Sequence, residues 1–204
     1  MLAKIFFSSV VAAIMTFAGS LWIDKLYSRS SELTFPEEIS SRSKFRKPLL
    51  FFALANLIYL SDDLFLMAAI FLLALMTVTD FEQYMLFDAM TFPLALIGIF
   101  YSWQNSSLQD NLIAAAVGGG IFFLIAIVSK GALGGGDVKL IFGLGFWLGT
   151  QKLLNVVMIG TIFGGVVALI MILLKKKSRG SYFAYGPYFT LSAIYFLLAQ
   201  KNIV

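Results

Sequence analysis

The sequence predicts an all-α membrane protein, a polytopic bundle of about eight spans, and three observations carry that prediction. Of the 204 residues, 60% are hydrophobic and only 13% are charged, against about 25% charged in an ordinary soluble domain. The mean hydropathy is +0.90. Apolar runs recur along the whole length, and no polar stretch is long enough to suggest a separate soluble domain, a low-complexity tail or a repeat. Residues 1–204 therefore read as a single integral membrane unit.

The elements follow in order. The first span, 4–23, is long enough to cross a hydrocarbon layer. Lys4 ahead of an apolar run is also what a cleaved signal peptide shows, but in a chain with so many further spans it reads as a retained helix. Residues 24–47 are polar and charged and form a loop. Further spans are expected at 48–60, 64–79, 90–103, 111–129, 138–150, 154–174 and 183–200. Several are shorter than the roughly 20 residues a lipid-facing helix needs. Short spans beside polar residues end at a water-filled cavity within a bundle. Gly143, Gly145, Gly149, Gly164 and Gly165 read as sites of close helix packing.

Charge sets the orientation. If the first loop is cytoplasmic, Lys25, Arg29, Arg42, Lys44, Arg46, Lys47, Lys130, Lys139, Lys175, Lys176, Lys177 and Arg179 lie inside, leaving Lys4, Lys152 and Lys201 outside. Such a bias is the positive-inside pattern, and it puts both termini outside. The net charge of +4 and the pI near 9.3 are explained by basic loops, so no nucleic-acid partner is expected.

The chain has no histidine and no cysteine. That removes Ser-His and cysteine nucleophiles, an HExxH zinc site and a cysteine zinc knuckle, and no metal site is expected. Ser129-Lys130 is the obvious Ser-Lys pair, but neighbours on a helix point about 100° apart. Carboxylates are the natural agents left for hydrolysis.

Of the acidic residues, Asp24, Glu32, Glu37 and Glu38 read as solvated charge in the first loop, and Asp62, Asp63 and Asp110 as turn markers on the outer side. Asp80, Glu82, Asp88 and Asp137 lie at the inner ends of spans. An ionisable side chain at membrane depth is costly and points to function. Asp137 stands behind the run Gly134-Gly135-Gly136, whose missing side chains let another backbone approach closely. The bland alternatives are a helix cap or interfacial anchor for Asp80 and an N-cap for Asp137.

LGGGDVKL (133–140), DFEQYMLFDAMTFP (80–93), GFWLG (145–149), FAYGPYFTLSA (183–193) and AGSLWIDKLYSR (18–29) together resemble the type IV prepilin peptidases, membrane aspartyl proteases of the GxGD type. The resemblance implies a membrane endopeptidase that removes leader peptides from prepilins or pseudopilins at the cytoplasmic face of the inner membrane. It implies Asp80 and Asp137 as the catalytic pair. Gly134, Gly135 and Gly136 would support an extended substrate by main-chain hydrogen bonds. Lys139 would meet an acidic substrate residue or snorkel to the interface, and Asp80, Glu82 and Asp88 would suit a basic leader. Asp88 matches the acid of the family's Pro-Asp element, although Phe87 stands where proline is usual.

Many relatives carry a larger first loop with paired CxxC motifs that hold zinc, and also methylate the new N-terminus with S-adenosylmethionine. Here residues 24–47 are short and cysteine-free, so S-adenosylmethionine is implied only if methylation is retained, and proteolysis needs no cofactor. Two alternatives stay open: a GxGD protease for other clients, such as archaeal flagellin-like precursors or signal peptides, and a small cation- or proton-coupled transporter. The sequence does not set the oligomeric state.

Overall fold

A computed structural model describes residues 2–60, 63–130, 133–174 and 183–201, with the side chains of Gln200 and Lys201 left out. Asp62 and the basic residues Lys175, Lys176, Lys177 and Arg179, assigned above to loops, lie outside the described residues. Among the described residues there is no strand. The helices are α1 (Leu2–Arg29), a short α2 (Ile39–Arg42), α3 (Arg46–Leu60), α4 (Leu64–Gln83), α5 (Asp88–Gln104), α6 (Leu108–Val128), α7 (Gly135–Leu173) and α8 (Gly186–Lys201). Four of them (α1, α4, α6 and α7) are long and apolar enough to cross a membrane, and α8 is a shorter apolar helix. The protein is a multi-pass membrane bundle.

Packing inverts the soluble pattern. On α1 the buried stripe Ser8, Ala12, Thr16, Gly19, Ser20, Ile23 and Tyr27 recurs at helical spacing and is mostly small, while Phe6, Phe7, Ile14 and Phe17 face outward. With lipid outside, helices gain from close van der Waals approach of small residues. α4 is the central element, packed against α3, α5 and α8 and also touching α1. Leu66, Ala69, Ile70, Leu73, Leu75 and Met76 are all buried. Asp63 is more than a turn marker: its carboxylate accepts from the amides of Phe65 (2.8 Å) and Leu66 (3.3 Å) and caps α4.

The two spans expected at 138–150 and 154–174 are joined without a loop. Gly149, at φ 68° and ψ 179°, breaks α7 in one residue, a backbone region open essentially to glycine alone. A Cβ on Gly118 of α6 would meet both Ile141 and Leu153, so the limbs before and after Gly149 run back along the same helix as a hairpin. The break frees backbone groups that lipid cannot satisfy. Asp110 accepts from the Thr150 amide (3.0 Å) and hydroxyl (2.6 Å), and Asn111 donates to the Phe146 carbonyl (2.7 Å). Asp110 is therefore a cap for a neighbouring helix, and Gly149 a joint; neither is the simple turn or packing residue expected. Gly145 does pack against the α6 backbone at Ala114 and Ala115, whereas a side chain on Gly165 would meet nothing within 4 Å.

Candidate active site

The first limb of α7, 135–148, is only about 21 Å long at the helical rise, shorter than the ~30 Å hydrocarbon core. Asp137 enters the site from the first turn of that limb. Asp80 arrives there from α4. The two carboxylates line one cavity of about 210 Å³ with Tyr84, Met85, Leu86, Gly134, Gly135 and Gly136.

The two acids are held differently. Asp80 is buried, and its Oδ2 has no hydrogen-bond partner among the described residues. The backbone of Gly186, at the start of α8, lies against it, so that a Cβ there would stand 2.6 Å from Oδ2. Asp137 is not the N-cap of its helix. Gly134 takes that position, with extended backbone at φ −68° and ψ 142°, and the Asp137 amide donates to the Gly134 carbonyl at 3.1 Å. The Asp137 carboxylate folds back toward Gly134, at the helix end whose dipole favours negative charge.

The glycines differ as well. A Cβ on Gly136 would stand 2.9 Å from the Leu86 Cβ, so that position requires glycine for packing. A Cβ on Gly135 would meet nothing within 4 Å, and Gly134 and Gly135 are exposed.

Three of the other expected contacts are already engaged. Glu82 is buried and does not line the cavity; Arg46 Nε meets its Oε1 at 2.9 Å, Arg46 Nη2 its Oε2 at 2.6 Å, and the Tyr27 hydroxyl donates to Oε2 at 3.0 Å. Both oxygens are consumed inside the bundle, which corrects the expectation that Glu82 meets a leader. Lys139 and Asp88 contact each other, Nζ to Oδ1 at 2.6 Å and to Oδ2 at 2.8 Å, with both side chains about half exposed. Asp24, expected as solvated charge, belongs to α1 and pairs with Arg46. Ser129 donates to the Ala126 carbonyl at 3.2 Å, the bond of a helix end.

Sequence reasoning missed Arg46, Gln83, Tyr84 and Gly186 as residues that shape the site. Arg46 left one signal, an arginine opening an apolar helix. Gln83 and Tyr84 left only their nearness to Asp80. Among the described residues no group of three or more Asp and Glu side chains could hold a metal ion. A larger groove of about 440 Å³ between α3, α4 and α8 is lined by apolar residues with Asn56 and Thr77, and holds no ionisable side chain.

Comparison with known proteins bears on the same residues. The pattern of the type IV leader peptidase family matches residues 66–169, a stretch that contains both aspartates, the glycine run, Asp88 and Lys139. The chain is similar to a prepilin leader peptidase/N-methyltransferase of Pectobacterium carotovorum subsp. carotovorum, 32% identical over 157 residues, covering 72% of this chain and 56% of that protein. It is also similar to proteins of the same description from Neisseria gonorrhoeae (31% over 140 residues, 65% and 47% of the two chains) and Pseudomonas aeruginosa (29% over 135 residues, 63% and 47%). The chain spans about half the length of these curated relatives. No solved structure matches it. Over half of its length, and at the residues that form the cavity, this chain belongs to the type IV leader peptidase family.

Proposed function

We propose that the protein is a membrane aspartyl endopeptidase that removes the leader peptides of prepilins or pseudopilins at the cytoplasmic membrane face. The observation that carries this reading is the convergence of Asp80 and Asp137 on one cavity beside an open glycine run. Two carboxylates in one low-dielectric site do not both ionise readily, so they share a proton and titrate as a pair. The ionised member takes a proton from water as that water attacks the scissile carbonyl. The protonated member gives its proton to the oxyanion or the departing amine. Water is the only co-substrate this chemistry needs.

The glycine run supports an extended substrate. The free space at Gly135 leaves room for a second backbone, and the first amides of a helix have no intrahelical partner. Main-chain pairing there holds the peptide across the two acids. Asp88 and Lys139, beyond the cavity, are the polar groups that a charged leader reaches by exchanging one ion pair for another. The exchange costs little, because exposed pairs are worth only about 0–1 kcal/mol. The relatives' description also names an N-methyltransferase. At about 210 Å³ the cavity is below the roughly 300–1,000 Å³ of small-molecule sites. No step through S-adenosylmethionine is proposed.

The test is cleavage of a prepilin in membranes by the unchanged protein and by Asp80→Asn and Asp137→Asn at equal expression. Leader removal falls by at least about 10³-fold in both variants if each carboxylate carries acid–base work. Full activity in either variant removes that residue from the mechanism. Absence of cleavage by the unchanged protein across several pilin-like clients overturns the substrate assignment.

A further inference from the structure

Each of the four residues that follow Asp80 is gripped by the chain between the end of α1 and the start of α3. Arg42 Nη2 donates to the Phe81 carbonyl at 3.0 Å. Arg46 and Tyr27 hold both oxygens of Glu82. Gln83, wholly buried, pairs with the Phe35 backbone in both directions: its Oε1 accepts from the Phe35 amide at 2.8 Å and its Nε2 donates to the Phe35 carbonyl at 3.1 Å. The Tyr84 ring meets Phe35 edge-on at 5.1 Å, and the Arg42 guanidinium lies 4.0 Å from the centre of the Phe35 ring.

We propose that residues 27–46 form a fixed strap that positions Asp80 and the Tyr84 wall of the cavity, with Arg42 and Arg46 as its positioning residues and Gln83 as the residue of α4 that it holds. The inference rests on the protease reading and extends it to a segment outside the family match, which begins at residue 66.

The physical need is visible at Asp80 itself. Its Oδ2 has no hydrogen-bond partner among the described residues; besides the Gly186 backbone that lies against the carboxylate, the turn of chain beneath it sets where it points. That turn is the last of a helix, where carbonyls lose their intrahelical donors and the chain frays unless other groups satisfy them. Arg42 supplies such a donor at Phe81, and cationic side chains are favoured at helix C-termini. Tyr84 then closes the helix in the left-handed region at φ 54° and ψ 39°, its amide donating to the Asp80 carbonyl at 2.9 Å. A bulky residue there is uncommon and persists where its surroundings over-determine it. Phe35 and Arg42 are those surroundings, and Tyr84 lines the cavity. Arg46 and Glu82 add a pair that is buried on both sides, which cannot be broken cheaply by water or salt.

The two catalytic candidates are therefore anchored unequally. Two residues beyond Asp80, Glu82 is locked inside the bundle; two residues beyond Asp137, Lys139 has a half-exposed partner. The strap makes the Asp80 side the fixed half of the pair.

The experiment uses the full chain in detergent or nanodiscs and compares Gln83→Leu and Arg42→Lys with the unchanged protein. Two readouts are taken, prepilin cleavage with kcat and KM separated, and hydrogen exchange of the amides at 81–86. Glu82 and Arg46 are left intact, because removing one partner of a buried pair endangers folding. We expect kcat to fall about 10- to 100-fold in Gln83→Leu, as for a small misplacement of a catalytic group. KM should stay within about twofold, exchange at 81–86 should quicken and the unfolding midpoint should hold. Arg42→Lys, which keeps the charge but loses the fork, is expected to show the same pattern more weakly. Faster exchange with unchanged kcat overturns the positioning role and leaves a merely structural strap. Unchanged exchange in both variants overturns the grip itself. If the unchanged protein cleaves nothing while exchange still responds, the protease reading fails and the catalytic role of the strap fails with it, separately from the grip.

Discussion

Asp80 and Asp137 could be singled out in the sequence because a carboxylate in an apolar run has few bland explanations. Their neighbour Gly186 could not, since nothing in a Gly-Pro dipeptide says that it will face an acid presented more than a hundred residues earlier. In the folded chain its lack of a side chain makes room for the Asp80 carboxylate. Gly186→Ala should push that carboxylate aside, reducing cleavage by at least about tenfold as displaced catalytic groups do, with the helical content in circular dichroism unchanged. Activity equal to the unchanged protein would show that the carboxylate has room to spare. Glu82 carries the opposite lesson. It shares the charge and neighbourhood of Asp80, and only the approach of Arg46 and Tyr27 decides that it is structural.

At the scale of elements, the all-α class and the order of the apolar segments were legible, and their ends were not. α1 runs on to Arg29 and α4 to Gln83, because the polar residues at their ends find partners inside the bundle instead of water. Hydropathy alone ends a span where the polarity begins. The hairpin within α7 was expected as two spans with a short connection, and a single glycine suffices because Asp110 and Asn111 of α6 supply the missing hydrogen bonds. Gly149→Ala would force a side chain into a backbone region that costs about 1–3 kcal/mol and against the Asp110 carboxylate. Its unfolding midpoint in detergent should fall clearly. Gly165→Ala, with open space around it, is the control and should change stability by no more than about 0.5 kcal/mol. Equal midpoints for the two would argue against the joint.

For the whole molecule, the arrangement puts the strap, Asp80 and Asp137 at one end of the bundle and the Gly149 joint with Asp110 at the other, since α6 begins near the joint. The excess of lysine and arginine on the strap side predicts that this end is cytoplasmic. The chain has no cysteine, so single cysteines report cleanly. In intact cells a membrane-impermeant thiol reagent should label Gln109→Cys and spare Thr34→Cys, both at exposed positions; the reverse pattern would invert the topology.

The class, the approximate spans, the two acids and the glycine run could all be read from the residues alone, because the cost of burying charge and backbone in hydrocarbon leaves a local imprint in composition. Folding in three dimensions settled which acids meet, which are consumed in ion pairs, and how a short polar loop grips the turn beneath Asp80. Those outcomes depend on contacts such as Phe35 with Gln83 and Arg46 with Glu82, between residues far apart in the chain. Side-chain pairing of that kind has no period, and a single sequence carries no local trace of it.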